Sequence, residues 1–162
     1  MKTINTRIVL ASRPIGEPKP SDFRIEQAPI PEPGDGEVLI ETIWLSIDPY
    51  MRGRMNESKS YAPHVKLGEV MVGGTVGRVL GSRDERLALG DIVVGYGGWQ
   101  EYAVLPADRL RKLDPACAPI QTALGVLGMP ALTAYVGLRN IGQPKPGETL
   151  VVGAYRRTRR VN

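Results

Sequence analysis

The chain has 162 residues, 42% of them hydrophobic, enough to bury a core. Its net charge is +4, but the four arginines of residues 153–162 account for all of it, so the body is neutral and a nucleic-acid-binding surface is not expected. One cysteine excludes an intrachain disulfide and a cysteine-based zinc cluster; the N-terminus lacks a signal peptide's apolar run, and no stretch nears the ~20 apolar residues of a membrane span. A soluble, cytoplasmic protein is expected.

Nineteen glycines and fourteen prolines make about one residue in five, read as many tight turns in a β-rich barrel or sandwich. Ile8-Val9-Leu10-Ala11 within residues 4–11 predicts a first strand, and Phe23-Arg24-Ile25-Glu26 a half-buried second. Pro29, Pro31, Pro33, Gly34 and Gly36 form a rigid connector. Val38–Ile47 is the longest strand signal, apolar on both faces and expected to run through the core. Asp48-Pro49 ends it, because proline has no amide to donate and restricts the residue before it.

A short helical turn is expected over Tyr50–Arg54, then a polar surface loop over 56–66. Thr75–Val79 reads as a strand with close backbone approach. Gly90-Asp91 turns into Ile92-Val93-Val94, and Gly97-Gly98 is expected to turn the chain back into Trp99–Val104, a hairpin. From residue 119 the period becomes helical: Ile120, Leu124 and Leu127 share one face, and Leu132, Tyr135 and Val136 repeat it in a second helix stopped by Gly142 and Pro144. Thr149–Val152 is expected to be one more strand, the first of a new sheet.

Five segments occur in an order that resembles one family: Leu45–Met55 (LSIDPYMRGRM), Leu67–Gly77 (LGEVMVGGTVG), Gly90–Val104 (GDIVVGYGGWQEYAV), Gly128–Leu138 (GMPALTAYVGL) and Lys145–Val152 (KPGETLVV). Together they are similar to the alkenal, prostaglandin and curcumin reductases, a zinc-free branch of the medium-chain dehydrogenase/reductase superfamily. The resemblance implies a mainly β fold: a GroES-like barrel over residues 1–118, then interdomain helices and the start of a Rossmann nucleotide-binding domain over 119–152. It also implies NADPH as hydride donor and an α,β-unsaturated aldehyde or ketone as acceptor, with homodimerisation in full-length relatives. No nucleic-acid or membrane partner is expected.

The zinc-dependent relatives carry a cysteine and a Gly-His-Glu where this chain reads Asp48-Pro49-Tyr50 and Leu67-Gly68-Glu69, so no metal site is expected. By the resemblance Tyr50 is the catalytic candidate, lying beside the nicotinamide as a hydrogen-bond donor, and Pro49, Tyr50, Met129 and Thr133 approach the cofactor. The plainer reading makes Tyr50 a rim aromatic, and Met129 and Thr133 core residues of the second helix. His64, the only histidine, is expected on a surface loop; Cys117 as a small hydrophobe near the barrel's end; Trp99 and Tyr102 in strand-face packing.

After Val152 the family continues into a glycine-rich turn that cradles a pyrophosphate, whereas residues 153–162 form a basic tail. A CGN arginine codon read one base later encodes Gly, Ala, Val, Asp or Glu, and the tail is read as out of frame. A truncated chain follows as an expectation: the front, substrate-side part of a reductase, inactive alone, without tight NADPH binding, and with an exposed apolar patch along its helices. The alternative is a free-standing GroES-like module that binds another protein.

Overall fold

This computed structural model describes residues 3–58 and 61–151; Val152 and the basic tail fall outside the described residues. Two short strands open the fold, β1 (Ile4–Leu10) and β2 (Phe23–Pro29), paired antiparallel from Ile4↔Pro29 to Leu10↔Phe23. Five more follow: β3 (Glu37–Leu45), β4 (Thr75–Ser82), β5 (Ile92–Gly95), β6 (Tyr102–Pro106) and β7 (Arg111–Leu113), in the antiparallel order β6-β3-β4-β5-β7. Helix α1 (Tyr50–Arg54) lies between β3 and β4; a 3-10 turn (Ile120–Leu124) and α2 (Met129–Val136) come after β7. The mainly β class is the one expected.

The two sheets are joined by the segment between β5 and β6. Gly97–Glu101 was expected to fold back on β5. Instead β5 pairs with β4 and β7, and β6 pairs with β3 on the opposite side of the sheet. The glycines allow a crossing here rather than a reversal. Gly98 has φ +76, and a Cβ there would sit 2.8 Å from the Met71 carbonyl oxygen. The crossing chain is bonded on both sides: Trp99 N donates to Met71 O at 2.8 Å, Ile8 N to Trp99 O at 2.8 Å, and Glu101 N to Thr6 O at 3.0 Å. β1 thereby sits beside the approach to β6, and the small sheet wraps onto the large one.

Two apolar clusters fill the interior. Val38, Ile40, Val79, Leu87, Val93, Ala103 and Ala107 pack inside the large sheet. Leu10, Met51, Met55, Val65 and Met71 form the second, under α1, with Phe23, Tyr50, Val72 and Trp99 against it. β3 is buried only at its start: Val38 and Ile40 are enclosed, while Ile43 and Trp44 are exposed. The core-crossing expectation for Val38–Ile47 therefore holds only for one face of its first half, where Val38 and Ile40 are enclosed while Leu39 and Glu41 on the other face are half-buried.

The helical region differs from the β body. Ile120–Leu124 is a 3-10 turn rather than a full helix, and α2 runs on into a wider π turn over Gly137–Gly142. No residue of α2 is buried, and Met129, Leu132, Tyr135, Val136 and Ile141 form the exposed apolar stripe that was expected. Thr149–Val151 make no ladder, against the strand expected there. A strand needs a neighbour's backbone to pair with, and among the described residues none lies beside this one.

Candidate active site

α1 is placed by what stops β3 before it. Ser46 N still donates to Gly74 O at 2.9 Å, but Pro49 cannot extend the ladder and enters the helical region as the cap of α1. The Ser46 hydroxyl donates to Asp48 Oδ2 at 2.7 Å, and Met51 N to Asp48 O at 3.1 Å, which tightens the corner. Met51 and Met55 bury one face of α1. Arg52 braces the other against the loop after β1, donating to Pro14 O at 3.0 Å and to Gly16 O at 2.9 and 3.1 Å. A five-residue helix has too few internal bonds to persist alone, so these tertiary contacts hold Tyr50 in position.

Tyr50 is half-buried against the second apolar cluster, and its hydroxyl is buried without a hydrogen-bond partner among the described residues. Burial raises its pKa above the ordinary value, with Tyr96 and Asp48 adding to the shift. The phenol therefore stays protonated and available as a donor. Pro49 beside it is exposed.

Met129 and Thr133 lie one turn apart on α2, both exposed. The Thr133 hydroxyl already donates to Met129 O at 2.9 Å, so it presents its lone pairs, not its proton, to any ligand. Met129 Sδ is 3.8 Å from the Tyr96 hydroxyl. Tyr96 thus meets one of the expected groups, Met129, and acts on Tyr50 only electrostatically. A cavity of ≈ 230 Å³ opens between the end of β5 and the start of α2, lined by Tyr96, Arg109, Arg111, Leu124 and Met129 among others. A wider one of ≈ 700 Å³ runs on along α2, past Tyr96, Arg111, Met129, Leu132 and Tyr135. Tyr50, Pro49 and Thr133 line neither.

Sequence reasoning passed over Tyr96 because a lone aromatic between glycines carries no periodic signal. The chain also places the remaining residues of interest. His64 is exposed in its loop as expected. Tyr102 is buried in β6 and bonds Glu41 at 3.3 Å; Trp99 precedes the strand and stacks on Phe23 with ring centroids 5.4 Å apart. Cys117 departs from expectation: it is exposed, its thiol donating to Asp114 Oδ2 at 3.3 Å, because a tight turn bonded through Asp114 turns it outward. That bond raises its pKa. Among the described residues no group of three His, Cys, Asp or Glu side chains could hold a metal ion.

Residues 6–113 match the family described as the N-terminal domain of oxidoreductase. Over 153 residues the chain is 54% identical to NADPH-dependent curcumin reductase of Escherichia coli, covering 94% of itself and 44% of that protein. It is 38% identical over 156 residues to the NADP(+)-dependent 2-alkenal reductase of Nicotiana tabacum, covering 93% of itself and 45% of that protein. The crystal structure of CurA in complex with NADPH from Vibrio vulnificus superposes with a TM-score of 0.82 at 48% identity, over 88% of this chain and 42% of that one. The chain therefore spans less than half the length of the relatives it matches.

Proposed function

Because the chain belongs to the family of N-terminal oxidoreductase domains, in the zinc-free reductase branch with the curcumin and alkenal reductases, we propose that it forms the substrate side of an NADPH-dependent reductase acting on the C=C bond of α,β-unsaturated aldehydes and ketones. The single observation that carries this reading is the buried, partnerless Tyr50 hydroxyl at the start of α1. A small-molecule partner and a cytoplasmic setting go with it.

The residues fit the nicotinamide end of such a cofactor. An orphaned phenol in a dry environment costs about 1–3 kcal/mol until an acceptor reaches it, and the carbonyl oxygen of an enone or of a carboxamide is such an acceptor. Pro49, Tyr50, Met129 and Thr133 are the groups that would hold this end. NADPH supplies the hydride when bound. Tyr50 would donate a hydrogen bond to the carbonyl oxygen of the acceptor, where such a reduction builds negative charge. Its raised pKa keeps that proton in place through neutral pH. Thr133 accepts from an amide N–H, since its own proton is engaged in α2.

The test is a chimera in which residues 3–151 replace the matched stretch of the Escherichia coli curcumin reductase, assayed for NADPH oxidation with a simple enone. Turnover is expected, with Tyr50→Phe lowering kcat by roughly tenfold to a thousandfold. A folded, NADPH-binding chimera that reduces no enone, or a Tyr50→Phe variant of unchanged kcat, overturns the reading. The exposed stripe of α2 favours a second reading, a free-standing module that binds another protein; a stable, defined complex in light scattering with no turnover in the chimera would establish it.

A further inference from the structure

Tyr96 is 62% exposed, yet the backbone on either side of it is fastened to β4. Gly95 before it and Gly97 after it are both buried. Thr75, fully buried in β4, fastens both: its hydroxyl accepts from Gly97 N at 3.0 Å and donates toward Gly95 O at 3.5 Å. A side chain on either neighbour would displace what is packed there. A Cβ on Gly97 would meet the Thr75 hydroxyl at 2.8 Å, and one on Gly95 would meet Leu110 at 2.6 Å. The strand end is thus built to present one ring from a rigid mount, with all steric bulk removed on either side. The ring has no aromatic partner among the described residues, touches Met129 Sδ through its hydroxyl edge, and borders both cavities beside α2.

We propose that Tyr96 is a ligand-positioning residue of this cleft, its ring being the platform on which the flat, conjugated body of an unsaturated carbonyl compound stacks. A fixed aromatic face loses little conformational entropy on binding, and a planar π-system gains most from an offset stack over it. Met129 adds a polarizable thioether on the same wall, and Leu132 and Tyr135 extend the apolar path along the wider cavity. Tyr96 on this wall sets the plane of the conjugated body. The ligand's class rests on the proposed reductase function; the residue's role rests on the mount and the cavities.

The experiment titrates 4-phenyl-3-buten-2-one into the 162-residue chain and follows backbone amide and methionine methyl signals by NMR. Saturable shifts are expected at Gly95, Gly97 and the Met129 methyl. Tyr96→Ala should weaken the apparent affinity by about tenfold, Tyr96→Phe by less than about twofold, and the remote exposed substitution Leu67→Ala should leave it unchanged. Tyr96 is largely exposed, so the amide spectrum of Tyr96→Ala is expected to keep the wild-type fold. Absence of saturable shifts at these signals, or equal affinity in Tyr96→Ala, overturns the proposal. Binding that depends on Tyr96 alongside a chimera without turnover would sink the reductase reading and leave the platform standing.

Discussion

Asn5 offers a demanding test of how the two sheets are tied. It is 3% exposed, the second residue of β1. Its side-chain amide copies a rung of sheet: Oδ1 accepts from Tyr102 N at 3.0 Å, and Nδ2 donates to Tyr102 O at 2.9 Å and to Gln100 Oε1 at 3.1 Å. Asn5→Ala removes all three bonds. Two of them serve main-chain groups in buried surroundings, where a lost bond costs about 1–3 kcal/mol. Gln100 is half-buried, also bonds Gly97 O, and adds little. The expected loss is therefore about 2–4 kcal/mol, a large part of the roughly 5–15 kcal/mol that holds a domain together. Urea unfolding followed by tryptophan fluorescence measures it, since Trp99 lies on the same crossing segment. Asn5→Asp discriminates further. It keeps an acceptor for Tyr102 N but sets a carboxylate oxygen against Tyr102 O, so it should be worse than alanine at neutral pH. Its buried carboxyl has a raised folded pKa, so the deficit should shrink as acid protonates it. An Asn5→Ala protein within about 0.5 kcal/mol of wild type would refute the reasoning.

Gly77→Ala places a Cβ 2.6 Å from the Glu41 carbonyl oxygen, in backbone that cannot step aside as a side chain would; a loss of about 1–3 kcal/mol is expected, and an unshifted urea midpoint would count against it. Asp84 is held at about 2, chiefly by its side-chain bond to Arg86, and Asp22, Glu26 and Asp91 are lowered chiefly by bonds to Ser12, Arg24 and Lys112. Lowered folded pKa values mean stability that is present above the unfolded value of about 4 and lost as pH falls toward about 2. Urea midpoints should therefore drop across that window, and less steeply in Asp84→Asn; a flat profile would contradict the ion pairing. Asp114→Asn removes the carboxylate that keeps the Cys117 thiol protonated, so iodoacetamide should alkylate Cys117 faster near pH 8; an unchanged rate would show that the bond does not persist in solution.

What the sequence disclosed was local. Tyr50–Arg54 was read as a helical turn and forms one, because Pro49 stops a strand and presets the next φ wherever it stands. β1, β2, β4 and the helical stretch of α2 likewise follow from patterns within a few residues. The β5–β6 hairpin was misread because a Gly-Gly pair signals a change of direction but not the partner that follows; the acceptors that settle it, Met71 O and Thr6 O, lie about 30 and 90 residues away in sequence. Asn5 and Tyr96 escaped notice for the same reason. Each acquires its role from a residue far along the chain, Tyr102 for one and Met129 for the other. Cys117 was read as a small hydrophobe near the barrel's end by residue type alone, whereas a turn closed by Asp114 decides which way it faces.

The crossing segment also orders events in time. β1 and β2 are joined by a short local connection and can pair as soon as both have been synthesised. The other edge of β1 is met by Gly68, Glu69 and Met71 at its Leu10 end, and by Trp99 and Glu101 at its start; the buried Asn5 side chain waits for a residue 97 positions later. Contacts of such span carry the heaviest loop-closure cost and form late. While the chain emerges, a ready hairpin therefore stands with one flank of unsatisfied amides and carbonyls exposed to whatever else is nearby. Residues 68–71 cover the Leu10 end of that flank, and the arrival of Trp99–Glu101 covers the rest, so the step that joins the sheets also completes the nascent chain's protection from wrong pairing.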